Sequence, residues 1–259
     1  MSGKAITGNA RNYKDVGPPS PAKRTIFDCA EVIETSDPHD LLGIEYETAY
    51  CGKASRWDEA LCETAPSTTK DQTSISTVAG DPFTVYSSVS CAPFGHSPEE
   101  MEAKAKDTLL FKEHMAVEQH LEEWLIANGT PVAADPVVRN QAIGAVEGWL
   151  GEVWAGDGLI LASPFAASLL AVDGGLFWDD SSGLVTACGT SICVGNFGEL
   201  GVGVHIYAVP RLILVRGPVF TALAPIDTAN VKNLTVGLAE RTYVPLFECG
   251  AASCEVLLS

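Results

Sequence analysis

Two cysteine pairs are the first candidates for chemistry in this sequence. Cys188 and Cys193 are five positions apart, and Cys249 and Cys254 repeat that spacing. Four thiolates in two pairs are typical of a structural zinc site, but this spacing lies at the loose limit for zinc ligands. Both pairs also lie in strand-like sequence instead of tight turns. We therefore interpret these cysteines as small buried hydrophobic residues.

The remaining candidate motifs lack the pattern that their chemistry requires. His114 and His120 share a predicted helix, but a separation of six residues puts them on different faces, with no Glu-x-x-His pair for a di-metal site. The glycine-rich segment 198–203 matches neither the dinucleotide-binding nor the P-loop spacing. No Gly-x-Ser-x-Gly motif occurs. We predict no catalytic residues, no metal ligands and no cofactor, and hence a protein that is not an enzyme.

Length and composition indicate which broad class of protein this is. The 259 residues are enough to bury a substantial core. No apolar run reaches the roughly 18 residues of a membrane span, and the first residues form no hydrophobic signal region. We therefore expect no membrane partner and no export. The eight cysteines are interpreted as reduced cytosolic thiols, with oxidation after release from a cell left open.

Charge is distributed unevenly along the chain. The net charge is −17, yet residues 1–24 hold five basic residues and one acidic residue. From residue 140 onward the basic residues are Arg211, Arg216, Lys232 and Arg241. The body therefore has no basic field for nucleic acid, and we do not expect a sequence-specific reader. The basic arm either lies against phosphate or an acidic neighbour, or is a solvated terminus.

One long helix is predicted between Ser97 and Asn128. Ser97 suits the N-cap, Pro98 suits the first helical position, and Glu100 completes a capping box. Asn128 and Gly129 supply the stop signal. Apolar residues at helical spacing form one stripe along it: Met101, Ala105, Leu109, Val117, Leu121, Trp124 and Leu125.

The residues in front of this helix are polar and extended, and we expect them to add little to the core. Prolines interrupt an arm over 1–24, and the polar stretch 48–80 is too long for an ordinary loop. Strand-like sequence flanks that stretch at 41–47 and 83–91. We interpret these parts together as a long two-stranded excursion that leaves the body and returns to it.

The residues behind the helix alternate between short helices and strands. Asp135 and Pro136 are predicted to cap a second helix that reaches Val153, and Ser163 and Pro164 open a short helix to about Ala171. The last two strands, 236–247 and 251–258, are expected to pair. The class is α+β with mostly antiparallel strands. Further strands are predicted at 159–162, 176–178, 184–187, 190–194, 205–209 and 211–215.

Three stretches carry a resemblance to a known family. Residues 158–170 look like that family's strand followed by a short helix, and 184–194 are similar to its strand pair around a turn, with Ser191 where proline is common. Residues 239–258 look like its closing strand pair. With the order of arm, excursion and long helix, the chain resembles the major capsid proteins of tailed phages, which have the Hong Kong 97 fold.

The resemblance implies a division of the chain into five parts. These are an N-terminal arm over 1–40, an extended E-loop over 41–92, a spine helix of the P-domain over 93–130, an A-domain over 131–208 and returning P-domain strands over 209–259. It also implies self-assembly, as hexamers and pentamers, into an icosahedral head shell around double-stranded DNA. The protein is then expected in the virion, after assembly in the host cytoplasm.

The same resemblance names candidate partners and contact residues. Scaffold, portal and decoration proteins are candidate partners, and contact with packaged DNA is expected to be non-specific. An encapsulin-like compartment, another ring- or tube-forming virion protein, and an enzyme with a site within 131–208 stay open as alternatives. Arm residues expected to meet DNA or a neighbouring subunit are Arg11, Lys14, Lys23 and Arg24. E-loop residues expected to form ion pairs between subunits are Glu45, Glu47, Arg56 and Lys70.

Overall fold

The computed structural model describes residues 19, 24–48, 50–56, 74–91, 97–172, 175–180, 183–197, 203–224 and 235–257. Its helices are α1 (Ile26–Cys29), α2 (Pro98–Asn128), α3 (Arg139–Val153) and α4 (Pro164–Ala171), with a 3-10 turn at Asp40–Leu42. The first seven strands are β1 (Glu31–Glu34), β2 (Ile44–Thr48), β3 (Ser76–Gly80), β4 (Phe83–Cys91), β5 (Thr130–Pro131), β6 (Leu159–Ala162) and β7 (Leu176–Asp179). The other seven are β8 (Gly183–Thr186), β9 (Ser191–Val194), β10 (Val204–Val209), β11 (Arg211–Arg216), β12 (Phe220–Ala224), β13 (Thr235–Glu248) and β14 (Ala252–Val256).

Helix α2 confirms the predicted long helix and both of its ends. The Ser97 hydroxyl accepts the Glu100 N–H at 3.2 Å, and the Glu100 carboxylate accepts the Ser97 N–H at 2.9 Å, which is the expected capping box. At the other end, the Gly129 N–H donates to the Leu125 carbonyl at 2.7 Å. The predicted apolar stripe faces the core, and its buried members are Met101, Ala105, Leu109, Val117, Leu121 and Leu125.

The long helix packs on a five-stranded sheet that is organised by β13. This strand pairs antiparallel with β4, β11 and β12, while β1 joins the far edge of β11 in parallel. The helix comes very close to β13 at Gly237, where an added Cβ would lie 2.4 Å from the Met101 carbonyl oxygen. Glycine is therefore required there by the approach of two backbones.

A second sheet holds the other core. Its order is β5-β14-β10-β6-β9-β8-β7, with helices α3 and α4 packed on it. The pairs β6–β9 and β5–β14 are parallel and the other named pairs in this sheet are antiparallel. The predicted α+β class is confirmed. No helix in the described part of the chain is long and apolar enough to cross a membrane.

The strand that pairs with β2 differs from the one predicted. Strands β2 and β3 form a separate antiparallel pair with Ile44 opposite Gly80, but Phe83–Cys91 belongs to the five-stranded sheet as β4. The alternation of β4 reflects one face turned to helix α2, and Val85 is part of that core. A strand with one face packed on a helix and a strand in a free hairpin both alternate apolar and polar residues, so the sequence pattern does not distinguish them.

The residues in front of α2 contribute more core than the sequence indicated. Ile26 is fully buried in the cluster between α2 and the five-stranded sheet, and Phe27 and Phe83 pack against this cluster. The polar composition of this region hid a few large apolar residues. Removal of residues 1–90 would take β1 and nearly all of β4 from the five-stranded sheet, and would therefore disturb the core as well as the extended segments.

Two predicted local features were wrong. Strands β13 and β14 do not pair, because Cys249 and Gly250 adopt positive φ angles of 59° and 79° and direct β14 into the other sheet. Helix α3 begins at Arg139, after the predicted cap at Asp135, because the backbone of Val137 bonds instead to Glu255 and Leu257. In both cases contacts between sheets decide the local backbone.

Candidate functional site

The segment between Arg24 and Glu34 is held on the body by ion pairs at both ends of β1. Arg211 donates to Glu31 at 2.6 Å, and Arg216 donates to Glu34 at 2.7 Å. Strands β1 and β11 run parallel, with Glu34 directly opposite Arg216 and Glu31 opposite Ile213, so the Arg211 side chain reaches along the strand to Glu31. Each partner is partly exposed, so the pairs fix register more than they add stability.

A buried carboxylate joins three segments that are far apart in sequence. Glu118, on helix α2, accepts the Ile26 N–H at 3.1 Å with one oxygen and the Asn196 N–H at 2.7 Å with the other. Its side chain is 2% exposed, and this burial raises the pKa of the Glu118 carboxyl above its ordinary value. The contact ties the N-terminus of α1 and the turn after β9 to the long helix.

A second buried carboxylate lies on the same helix. Glu113 accepts two hydrogen bonds from Arg241, at 3.0 and 3.2 Å, and one from the Tyr243 hydroxyl at 2.8 Å. Burial raises the pKa of both Glu113 and Tyr243. Arg211, Arg216 and Arg241 are therefore all paired with carboxylates inside the chain, which leaves the body without a basic surface from these residues.

Sequence reasoning missed these glutamates, although a signal was present. Glu113 occupies the four-residue ladder that Leu109, Val117 and Leu121 define on the buried face of α2. A charged residue in an apolar ladder must find a partner when the ladder is buried. The gap in the stripe therefore pointed to an internal ion pair.

Two disulfides contradict the interpretation of the cysteines as reduced thiols. Cys29 is bonded to Cys193, and Cys51 is bonded to Cys249. Cys254 is buried and free, as predicted, whereas Cys188 is free but exposed. No local signal identifies the bonded pairs, because the two cysteines of each pair are 164 and 198 residues apart.

The base of the excursion is anchored to the five-stranded sheet. Ile44 and Tyr46 pack against apolar residues of β11 and β13, and the Thr48 hydroxyl donates to Glu248 at 2.6 Å. Glu248 is almost completely buried and also accepts from Arg211 at 3.3 Å. By alternation, Glu45 and Glu47 point outward and are exposed, which leaves them available to a neighbour.

The predicted contact residues do not come together in one place. The Arg24 guanidinium lies 4.0 Å from the ring centre of Trp178 on the β7–β8 hairpin of the same chain. Arg56 is exposed beyond Cys51. Arg11, Lys14, Lys23 and Lys70 lie outside the described residues, as do residues 198–202 of the glycine-rich segment. Their predicted contacts stay predictions.

The described residues contain no group of three or more histidine, cysteine or acidic side chains placed to hold a metal ion. The polar groups that are buried serve contacts between segments: Glu113, Glu118 and Glu248 each accept hydrogen bonds from another part of the chain. The features that stand out are thus the extended segments and the charges and disulfides that hold them.

Comparison with known proteins gives a fold and no close relative. No family model matches the sequence, and no curated protein matches it. The capsid of a native GTA particle is similar in structure, with a TM-score of 0.60 at 11% identity over 97% of this chain and 97% of that one. A structure from Mycobacterium phage Che8 has a TM-score of 0.58 at 12% identity over 96% of this chain and 98% of that one.

The capsid of the cyanophage P-SCSP1u is also similar, with a TM-score of 0.52 at 10% identity over 100% of this chain and 96% of that one. The likeness extends over nearly the whole of both chains in each case, so it includes the extended segments as well as the two sheets. The chain therefore has the fold of tailed-phage capsid proteins, the Hong Kong 97 fold that its sequence resembles.

Proposed function

We propose that this chain is a major capsid protein that self-assembles into the icosahedral head shell of a tailed phage around its double-stranded DNA. The observation that carries the proposal is the end-to-end likeness to the capsids of the GTA particle and the cyanophage, in which 96% or more of each chain is covered. The role is structural, and the protein is a virion component that assembles in the host cytoplasm.

The described contacts support this role. Residues 24–48 contact the seven-stranded sheet through Cys29 and the five-stranded sheet through β1. Arg211, Arg216 and Glu118 hold the segment in place, so the extended segments leave the body from defined points. We assign the arm to 1–40, the E-loop to 41–92, the spine helix to 93–130, the A-domain to 131–208 and the returning strands to 209–259. Within these bounds β4 and β14 complete sheets of the body.

Negative-stain electron microscopy of the purified full chain, beside its size by light scattering, tests the proposal. Closed cages, or rings the size of hexamers and pentamers, are the expected result. Open tubes would indicate a different virion protein. A monomer that never assembles, with or without a crowding agent or nucleic acid, would contradict self-assembly. Scaffold, portal and decoration proteins are further partners that this proposal includes.

We further propose that Arg11, Lys14 and Lys23 meet packaged DNA without reading its sequence, and that Glu45, Glu47, Arg56 and Lys70 pair between subunits. The slope of log affinity for DNA against log salt is negative, and changing the three arm residues to Gln should reduce its magnitude by about 2.7, because each phosphate contact contributes about 0.9. The matched control changes exposed Lys53, Lys106 and Lys112 to Gln and should leave the slope unchanged.

The acidic residues need a separate test. Glu45→Gln with Glu47→Gln should weaken assembly at low salt and have little effect at high salt, where exposed charges are screened. Equal loss at every salt concentration would indicate a shape effect and would count against ion pairs. Both residues lie on the outward face of β2, so the folded body should be unchanged.

A further inference from the structure

Each disulfide joins a cysteine that precedes helix α2 in the chain to a cysteine that follows it, within or directly after a strand. Cys29 ends α1, and its partner Cys193 lies in β9 of the seven-stranded sheet. Cys51 follows β2 at the base of the excursion, and its partner Cys249 follows β13 of the five-stranded sheet. Each bond closes on a different sheet, so the segment between Cys29 and Cys51 is fastened at its two ends.

Non-covalent contacts support the position of each cysteine pair beside its disulfide. Glu118 holds the N-terminus of α1 and the turn after β9 within hydrogen-bond distance of one carboxylate, beside Cys29 and Cys193. The Thr48 hydroxyl donates to Glu248 at 2.6 Å, immediately next to Cys51 and Cys249. We infer that the folded subunit brings the two cysteines of each pair together through these hydrogen bonds, and that oxidation then links them covalently.

We propose that oxidation of these two cysteine pairs is a fastening step that confines residues 29–51 to their own subunit. Two copies of the chain cannot exchange this segment once both bonds are closed. The role of these disulfides in shell assembly rests on the proposed function, whereas the formation of the two disulfides within one subunit does not. Contacts with neighbours must then come from the outward faces of the segment and from chain beyond the two fastened ends.

The chemistry needs an oxidised low-molecular-weight disulfide. The thiolate of Cys29, which is the more exposed of its pair, attacks this disulfide and releases one small thiol. Cys193 then displaces the second small thiol from the mixed disulfide, so that two protein thiols become one disulfide and one small disulfide becomes two thiols. The second pair closes by the same two exchanges.

Isotope mixing separates bonds within a subunit from bonds between subunits. Natural-abundance and nitrogen-15-labelled chains are each purified in the reduced form, mixed, oxidised with glutathione disulfide and digested without reduction. Mass spectrometry should find the peptides of Cys29 and Cys193, and those of Cys51 and Cys249, linked only as light–light and heavy–heavy pairs. Hybrid light–heavy pairs, or free thiols at these four positions, would overturn the proposal.

A second readout covers the effect of the bonds. Cys29→Ser with Cys193→Ser should lower the midpoint of thermal unfolding of the unassembled subunit by about 5–10 °C and should speed amide exchange at Ile26–Cys29. Cys188→Ser, which removes an exposed free thiol, is the matched control and should change neither.

The outcomes also separate this proposal from the proposed function. Matched light and heavy pairs in a chain that never forms cages would leave the fastening step intact and contradict the capsid role. Cages built from chains with free thiols at all four positions would support the capsid role and contradict the fastening step.

Discussion

The Glu118 carboxylate accepts the backbone N–H of Ile26 at 3.1 Å across 92 residues of sequence. Its second oxygen accepts the Asn196 N–H, so one side chain of the long helix supports the start of the arm helix and a turn of the second sheet. Loss of this carboxylate would leave two buried backbone donors without their acceptor, which costs free energy.

Glu118→Ala should lower the free energy of unfolding by about 2–4 kcal/mol, because it leaves two backbone N–H groups without their acceptor. Denaturant unfolding of the unassembled subunit measures the change. Glu123→Ala removes the same side chain from an exposed position on the same helix and should change the free energy by less than about 0.5 kcal/mol. Equal effects of the two variants would show that the hydrogen bonds of Glu118 to Ile26 and Asn196 do not contribute to stability.

Two glycine substitutions should act in opposite directions. Gly237→Ala places a Cβ 2.4 Å from the Met101 carbonyl oxygen, so helix α2 must move off β13, at a cost of about 2–4 kcal/mol. Gly144→Ala adds a methyl group in open space on helix α3 and should stabilise by about 0.5–1 kcal/mol. Thermal and denaturant unfolding report both, and a tolerated Gly237→Ala would contradict the close packing described above.

Stability should also change with pH through His120. Its ring stacks on Phe83 with centroids 3.8 Å apart, and burial lowers the pKa of His120 below 6.5, against an opposing effect of Glu123. The folded state therefore favours the neutral ring, and the unfolded state binds the proton first as pH falls. Stability from this group is present above pH 6.5 and is lost as pH falls through the lowered pKa.

His120→Phe keeps an apolar ring on Phe83 and should remove that loss. The measurement is the difference in unfolding free energy between wild type and variant from pH 7 down to pH 5, which cancels the contributions of other groups. His39→Phe, at an exposed position, should retain the wild-type profile. A difference that stays constant across this range would refute the role of His120.

The two arginines of β11 should respond unequally to lysine. Arg211 contacts both Glu31 and Glu248, and the Glu248 side chain is 2% exposed. The guanidinium donates to Glu31 through Nε and Nη2 and to Glu248 through Nη1. A compact ammonium group does not match this fork, so Arg211→Lys should cost about 1 kcal/mol. The ion pair described for Arg216 is with the exposed Glu34. Arg216→Lys should therefore lower the free energy of unfolding by less than about 0.5 kcal/mol. Urea unfolding distinguishes the two, and equal costs would contradict the bridging role of Arg211.

Local rules predicted the elements whose signals lie within a few residues. The capping box of Ser97 and Glu100 and the apolar stripe of α2 were visible because both depend only on spacing along one helix. The short strand–helix unit at 159–171 was predicted for the same reason. These signals, in their order, carried the family resemblance.

Features that depend on distant partners were not visible. Nothing near Cys29 identifies Cys193, and nothing in 83–91 shows that this strand pairs with β13 instead of with β2 or β3. The destination of β14 depends on a turn at Cys249 and Gly250 whose backbone angles the sequence does not specify. The partners of Glu118 lie in α1 and in the turn after β9, so the sequence of helix α2 alone does not identify them.

The position of β13 has a consequence for how the protein is made. Among the described pairings of the five-stranded sheet, three of four include β13, and only β14 follows it in chain order. During synthesis, β4 and β12 must therefore wait for β13 to leave the ribosome before they gain this partner, and until then β11 can pair only with β1. Non-local pairings of this kind form slowly. A nascent subunit thus has no complete five-stranded sheet until β13, which ends at Glu248, has been made and released from the ribosome.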